Sequence, residues 1–139
     1  MELGFLTSCF DGSLLDKVHL ANQLNYSQLE VSLTPSSIQR LSFFDTQLLN
    51  SELFENEVRI SSLAYYQNIL TEQKRLRQMH IDNLYALIDF AFENGISQIS
   101  TFIGRDASKS IAENFTLLDS LVRPIVDHAE QLKIKTVSY

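Results

Sequence analysis

Several polar side chains in this sequence could hydrogen-bond a ligand. Asn68 and Thr101 carry amide and hydroxyl groups that donate and accept hydrogen bonds, and Asp106 adds a carboxylate acceptor. Arg105 could hold a phosphate or a carboxylate through two parallel hydrogen bonds. Tyr66 offers an apolar ring with a polar tip. The alternative for Arg105 and Asp106 is that they neutralise each other and shape a turn.

Glu30 lies in a segment with the two-residue alternation of a β-strand. Leu29 and Val31 share one face of that strand, and Glu30 lies on the other. Glu30 could bind a ligand, or it could be a solvated residue that lines an open mouth. Tyr65 and Tyr66 are adjacent and point in opposite directions in an extended chain. One of the two tyrosines is therefore expected to serve packing alone.

The three histidines and the single cysteine do not form a recognisable metal or catalytic site. His19, His80 and His128 fall on three different predicted helices, and no His-x-x-x-His or Cys-x-x-Cys spacing occurs. We expect structural or surface roles for all three. Cys9 follows the first predicted strand, but a nucleophilic thiol needs a base to activate it. No partner can be assigned, so we expect Cys9 to be a small filler residue.

Length and composition are typical of a soluble globular protein. The 139 residues suit one domain, residues 1–139, and 45% of them are hydrophobic. A net charge of −6 with scattered basic residues argues against a nucleic-acid partner. No apolar run approaches the roughly 18–20 residues that span a bilayer, and no signal peptide is evident, so we expect no membrane partner. A lone cysteine forms no intrachain disulfide, which favours the reducing cytoplasm.

Short apolar runs alternate with longer helical patterns along the chain. Strands are predicted near residues 3–7, 28–33, 58–64, 96–103 and 134–139. Helices are predicted from Ser13 to Asn25, around residues 46–56 with Asp45 as cap, over residues 73–93 before Gly95, and over residues 111–131 after the capping box at 110–113. Residues 34–37 read as a loop, and Pro124 should kink or split the last helix.

This alternation predicts an α/β fold with a parallel sheet and right-handed crossovers. No glycine-rich phosphate loop follows the first strand, because Phe10-Asp11-Gly12-Ser13 lacks that spacing. A Rossmann nucleotide site is therefore disfavoured. A segment of a barrel and an open flavodoxin-like sheet both fit the order of elements.

Two stretches favour the barrel because they resemble a known family. Residues 101–114, TFIGRDASKSIAEN, resemble the loop after the fourth strand of the sugar phosphate isomerase/epimerase family, whose members are xylose-isomerase-like TIM barrels. Residues 62–70, SLAYYQNIL, resemble the segment after that family's third strand, and residues 4–7, 29–31 and 123–130 fit in register. The resemblance implies a partial TIM (β/α) barrel, the N-terminal half, with about five parallel strands and four intervening helices.

The resemblance also implies isomerisation or epimerisation of a sugar or related polyol, with a divalent metal in the full-length family. Barrel active sites lie at the carboxyl ends of the strands. In this sequence that end carries Ser8 and the residues that we assign to substrate binding: Glu30, Tyr66, Asn68, Thr101, Gly104, Arg105 and Asp106. The family's first metal ligand is a glutamate at the end of the fifth strand, where this sequence has Tyr139. We therefore assign no catalytic residue, and we expect no metal ligand or cofactor in this chain.

Two functions remain open on the sequence. The chain could be a truncated or split sugar (phosphate) isomerase/epimerase-like protein, inactive alone because the family's metal ligands are missing. The alternative is a non-catalytic half-barrel that binds a ligand or serves assembly. Apurinic-site endonucleases share the barrel superfamily, but the acidic charge disfavours DNA repair. Because five strands of an eight-stranded barrel leave two edges, we expect self-association, pairing with a separate second half, or marginal stability.

Overall fold

The computed structural model describes residues 1–41 and 45–139. The strands are β1 (Gly4–Leu6), β2 (Gln28–Ser32), β3 (Arg59–Tyr65), β4 (Gln98–Thr101) and β5 (Lys135–Ser138). A 3₁₀ turn at Thr7–Cys9 follows β1. The α-helices of the described residues are α1 (Leu14–Gln23), α2 (Pro35–Gln39), α3 (Thr46–Glu55), α4 (Lys74–Glu93) and α5 (Ile111–Gln131). None of these helices is long and apolar enough to cross a bilayer.

The strands lie side by side in the order in which they occur in the sequence, and every neighbouring pair is parallel. In a flavodoxin-like sheet the first strand lies between the second and the third, so the strand order observed here excludes this alternative. The predicted α/β fold with the topology of a partial TIM barrel is confirmed. The sheet is open, and β1 and β5 are its edges within the described part of the chain.

One face of the sheet is apolar and packs against the helices. Leu29 and Val31 of β2, Leu63 and Tyr65 of β3, and Ile99 of β4 are all buried in the hydrophobic core. The helices bury partner residues in the same cluster, among them Val18, Ala21, Leu84, Leu87, Ile88, Ile125 and Ala129. Because strand side chains alternate, Glu30 lies on the opposite face, as predicted.

The predicted helix boundaries follow from capping chemistry. Complete capping boxes begin α1 at Ser13–Asp16 and α5 at Ser110–Glu113, and the Asp45 side chain accepts from a backbone N–H of α3. Asn25, with φ of 58°, follows α1, and Gly95, with φ of 69°, follows α4. Both take the left-handed conformation that ends a helix.

One local prediction is wrong, and another is wrong in part: of the kink or split expected at Pro124, the split does not occur. Residues 34–37 do not form a loop: Thr34 caps α2 and Pro35 occupies its first turn, where a missing N–H costs nothing. The crossover between β2 and β3 therefore contains two helices, and the described chain has five α-helices rather than four. Pro124 does not split α5, which runs continuously past it. Pro124 and Ser120 are both exposed, so water can hydrate the Ser120 carbonyl that the proline leaves without a donor.

A buried polar network joins β3 to α4. The Tyr65 hydroxyl lies 2.7 Å from His80 Nδ1, and Asn83 donates to the same hydroxyl oxygen at 3.0 Å. All three groups are satisfied when Tyr65 donates to a neutral His80 that carries its proton on Nε2. Burial lowers the pKa of His80 and raises the pKa of Tyr65, and both shifts favour this neutral pair.

We predict that the buried His80 makes the fold sensitive to mild acid. Its contribution to stability is complete above about pH 6.5, the usual histidine pKa, and is lost as the pH falls toward the lower folded-state pKa. The reason is that the unfolded chain binds a proton that the buried ring rejects. Urea unfolding at about pH 7.5 and at about pH 5.5 measures the loss in the free energy of unfolding. The ionisation of carboxylates changes little between these two pH values. His80→Gln should lose less stability across that window, and an equal loss in both proteins would contradict the assignment.

Candidate functional site

The face of the sheet that turns away from the helices, called here the inner face, carries a chain of polar contacts across three strands. The Ser62 hydroxyl donates to Glu30 Oε1 at 2.8 Å, and Ser62 and Ser100 hydroxyls lie 2.8 Å apart. Each hydroxyl has one proton to donate, so Ser100 must donate to Ser62. The chain therefore runs in one direction, from Ser100 through Ser62 to the Glu30 carboxylate.

A bulge in β3 creates this alignment. Leu29 pairs with Ile60, but the next residue, Glu30, pairs with Ser62, so Ser61 is the extra residue. The Ser61 hydroxyl donates to the Leu29 carbonyl at 3.1 Å. Beyond the bulge, Ser62 lies on the inner face beside Glu30.

Tyr66 completes the inner-face group at the carboxyl end of β3. Its hydroxyl donates to Glu30 Oε2 at 3.3 Å. Partial burial raises the pKa of the Tyr66 phenol, and the neighbouring Glu30 carboxylate raises it further, so the phenol keeps its proton. The ring lies 6.4 Å from Phe102 in a stacked arrangement and 6.4 Å from the Tyr139 ring in an edge-on one. A carboxylate, two hydroxyls and an aromatic wall thus share one surface.

The sequence placed Glu30 and Tyr66 among the candidate site residues, and the structure brings them together. Tyr65 points the other way, into the core, and its hydroxyl bonds His80 and Asn83, so it does more than the packing alone that was expected of one of the two tyrosines. Ser62 and Ser100 were missed, although each directly adjoins a buried aliphatic residue of its own strand. A serine at the alternate position of a strand with an apolar face is the signal that could have identified them.

Asn68, Gly104 and Arg105 instead join the loops after β3 and β4. Asn68 donates from Nδ2 to the Arg105 carbonyl at 2.8 Å, and its Oδ1 accepts from the Leu70 N–H at 3.1 Å. Gly104 has φ of 73°, and a side chain there would overlap Asn68. Only the backbone of Arg105 takes part, and its side chain is exposed at the rim.

Asp106 organises the loop before α5. The carboxylate is buried, with 1% of its side chain exposed, and accepts from the Ser108 hydroxyl and N–H. Lys109 Nζ lies 3.1 Å from it and an Arg77 guanidinium nitrogen lies 3.5 Å away. The Ser108 hydroxyl, together with Lys109, lowers the pKa of Asp106 to about 2. The Asp106 N–H donates to Asn114 Oδ1 at 2.7 Å.

The alternative that Arg105 and Asp106 neutralise each other is wrong. The cations that contact Asp106 are Lys109, on the turn that follows it, and Arg77, on α4. These contacts tie the start of α5 to the side of α4. Their role is to shape the rim of the inner face rather than to contact its polar chain.

Three further candidates lie away from the inner-face group. Thr101 pairs in register with Tyr65, and its hydroxyl donates to the Tyr65 carbonyl at 2.9 Å. Ser8 and Cys9 are exposed on the 3₁₀ turn after β1. Cys9 is therefore not the small filler residue that we expected, because the turn carries its side chain out of the core.

The described residues do not supply the ligand set of a zinc site. They contain no group of three or more histidine, cysteine or acidic side chains that could hold an ion. His19 and His128 lie on different helices and pair with Glu52 at 2.6 Å and Asp89 at 2.7 Å. The inner-face chain contains one carboxylate, Glu30, whereas a zinc site takes three or four protein ligands.

Comparison with known proteins reveals similarity at the level of structure. No protein-family model matches the sequence, and no curated protein matches it significantly. The probable 3-DHS dehydratase AsbF from Bacillus anthracis matches with a TM-score of 0.76 and 16% identity, over 99% of this chain and 52% of that chain. D-psicose 3-epimerase from Clostridium cellulolyticum H10, solved with D-tagatose, matches with a TM-score of 0.75 and 14% identity, over 98% and 51%. The IOLI protein with a binding zinc atom matches with a TM-score of 0.75 and 14% identity, over 99% and 51%.

These matches confirm the predicted resemblance to xylose-isomerase-like barrels at the level of the fold. The chain spans about half the length of the solved structures that it matches, which is consistent with an N-terminal half. Because the fold hosts a dehydratase as well as epimerases, it does not by itself assign a reaction.

We predict that Gly104 is intolerant of a side chain because of the loop contact with Asn68. Gly104→Ala should destabilise the protein by about 2–4 kcal/mol, since it adds overlap to left-handed strain. Gly95→Ala is the matched control: its φ is 69°, but nothing lies within 4 Å of the added carbon. That control should cost about 1 kcal/mol, the strain alone. Chemical denaturation of both variants checks the difference, and equal losses would contradict the loop contact.

Proposed function

We propose that this chain is half of a sugar isomerase/epimerase-like barrel whose inner face forms one wall of a binding site for a sugar or related polyol. The observation that carries the proposal is the directional chain from Ser100 through Ser62 to Glu30, with Tyr66 beside it. A D-psicose 3-epimerase solved with D-tagatose and an L-ribulose 3-epimerase share the fold, which supports a sugar-like ligand.

The inner face offers the chemistry that a polyol requires. Glu30 accepts from Ser62 and Tyr66, and the remaining lone pairs of its carboxylate can accept from ligand hydroxyls in charge-assisted bonds. The rings of Tyr66 and Phe102 offer apolar surface for the C–H face of a sugar ring. The ligand would thus meet acceptors on the strands and an aromatic wall at their carboxyl end.

We propose that turnover requires the rest of a barrel. Moving a proton between carbons of a sugar needs a base that removes the proton and a group that stabilises the developing charge. The inner-face chain supplies Glu30 as one carboxylate, and Tyr139 stands where the resemblance implies the first metal ligand. The IOLI protein was solved with a zinc atom, which supports a divalent metal in a complete barrel of this kind. The chain alone is expected to be inactive.

A non-catalytic module is the second candidate function. The exposed Tyr139 and the single carboxylate of the inner-face chain favour it, because binding a polyol requires hydrogen bonds but no metal. Tight, stoichiometric binding of a divalent metal by the isolated chain would contradict this candidate. One domain over residues 1–139 and a cytoplasmic location remain proposals made from the sequence.

We predict that D-tagatose or D-fructose perturbs the inner face in solution. In an NMR titration, amide shifts should change at Glu30, Ser62, Ser100 and Tyr66. Glu30→Ala should weaken binding about 10-fold or more, as expected for the loss of a charged hydrogen-bonding group. Glu93→Ala is the matched control, because Glu93 is exposed on α4 at the far side of the sheet. Shift changes confined to the outer helices, or equal effects of the two variants, would refute the proposed site.

A turnover assay separates the two candidate functions. The isolated chain is assayed with these sugars and added Zn²⁺, Mn²⁺ or Mg²⁺, alone and with any protein encoded just downstream. Metal-dependent epimerisation that appears only with the second protein, and that Glu30→Gln reduces, would support a split enzyme. Sugar binding without turnover in either mixture would support the module.

A further inference from the structure

The loops after β3 and β4, residues 66–73 and 102–110, carry two cations, Arg105 and Lys109. Lys109 pairs with Asp106, whereas the Arg105 guanidinium forms no ion pair within residues 1–41 and 45–139. The Arg105 backbone is nevertheless held in place, because its carbonyl accepts from Asn68 Nδ2 at 2.8 Å and the next residue, Asp106, is buried. The loop therefore fixes where this side chain begins and leaves its charge without a partner.

Gly104 changes the direction in which the side chains of this loop point. Ile103 packs against the hydrophobic core, and the Asp106 carboxylate contacts α4, so both side chains lie on the helix-facing side. Side chains three residues apart lie on opposite sides of a regular extended chain, and the left-handed φ of 73° at Gly104 accounts for the difference. Because neighbouring side chains of an extended chain also point in opposite directions, Arg105 points away from α4, toward the open side of the sheet.

The unpaired cation lies near the aromatic wall of the inner face. Arg105 follows Phe102 by three residues, which span at most about 11 Å. Phe102 stacks on Tyr66, and the Tyr66 hydroxyl donates to Glu30 Oε2. A ligand with hydroxyls on Glu30 can therefore extend along the aromatic rings toward the guanidinium. The two ends of this path carry opposite charges, negative at Glu30 and positive at Arg105.

The backbone of the loop after β4 does not offer the donors of a phosphate site. Such sites gather several free N–H groups at a helix N-terminus or in a backbone nest. Here the Asp106 N–H donates to Asn114 Oδ1 at 2.7 Å, and the Ser108 N–H donates to Asp106 Oδ1 at 2.9 Å. The Ser110 N–H donates to Glu113 Oε2 at 2.8 Å. The single unpaired guanidinium remains, and its planar fork matches the two oxygens of one carboxylate.

We propose that the ligand of the inner face is a sugar acid, whose carboxylate the Arg105 guanidinium binds through two parallel hydrogen bonds. The inference rests on the proposed polyol site and narrows its ligand from neutral sugars to sugars that carry one carboxylate. The ligand hydroxyls contact Glu30 and its carboxylate lies at the rim, because the reverse orientation would set two carboxylates side by side. Arg105 is then the residue that determines specificity for the acid.

NMR titrations of the full chain with D-glucuronate and with D-glucose test the inference. D-glucuronate should bind at least about 10-fold more tightly, as expected for a hydrogen-bonded pair of charged groups. Arg105→Gln should remove this preference without changing the affinity for D-glucose. Arg123→Gln is the matched control, because it removes the same charge from an exposed guanidinium on α5 that pairs with Asp119. The control should keep the preference for the acid.

The signal of the Arg105 side chain locates the contact directly. Its Nε–H resonance should shift with D-glucuronate and stay in place with D-glucose. Equal affinity for the two sugars, with amide shifts on the inner face, would overturn this inference and leave the polyol site standing. Tighter binding of D-glucose 6-phosphate than of D-glucuronate would replace the carboxylate with a phosphate. Inner-face shifts with none of these sugars would overturn the polyol site and this inference together.

Discussion

The structure depends on one constraint, which is that every crossover returns the chain to the same side of a parallel sheet. Connections between neighbouring parallel strands are right-handed as a rule, and this places each helix over the same face. The strands then follow one another in sequence order. The helix-facing side can be apolar throughout, as Leu29, Leu63 and Ile99 show. No helix of the described residues covers the other side, and it is there that Glu30, Ser62 and Ser100 form their polar chain. The separation of core and site is thus a direct result of topology.

Much of the fold could be predicted from the sequence because its signals are local. Capping boxes at Ser13 and Ser110 and left-handed residues at Asn25 and Gly95 depend only on near neighbours. The short α2 helix was missed because a proline beside two serines also suits a loop, and here the Thr34 cap decided for the helix. Element order alone could not separate a barrel segment from a flavodoxin-like sheet. That choice needed either the family resemblance or the observed strand pairing.

The candidate site was predictable only in part, since its members meet through contacts between distant residues. Glu30 was identifiable from alternation, but its bonds to Ser62 and Tyr66 cross more than thirty positions of sequence. Asn68 and Asp106 are polar residues at the ends of strands, as ligand-binding groups would be. They instead satisfy backbone groups and cations in neighbouring loops. Residue type cannot distinguish a group that holds a ligand from one that holds a loop, because both tasks use the same hydrogen bonds.

The bulge at Ser61 determines which face of the sheet each side chain of β3 points to, and the sequence alone does not reveal this. Before the bulge, the side chain on the helix-facing side is that of an even-numbered residue, Ile60. After the bulge, the side chains on that side belong to odd-numbered residues, Leu63 and Tyr65. If β3 paired regularly with β2, Leu63 and Tyr65 would point at the open side, and Ser62 would be sealed beneath α4. The extra residue Ser61 therefore determines which side chains of β3 lie on the open face of the sheet. Inserting or deleting one residue beside the bulge would move the buried side chains of β3 to the open face and its polar side chains to the helix-facing one. Substituting a side chain at the same place would leave the alternation unchanged.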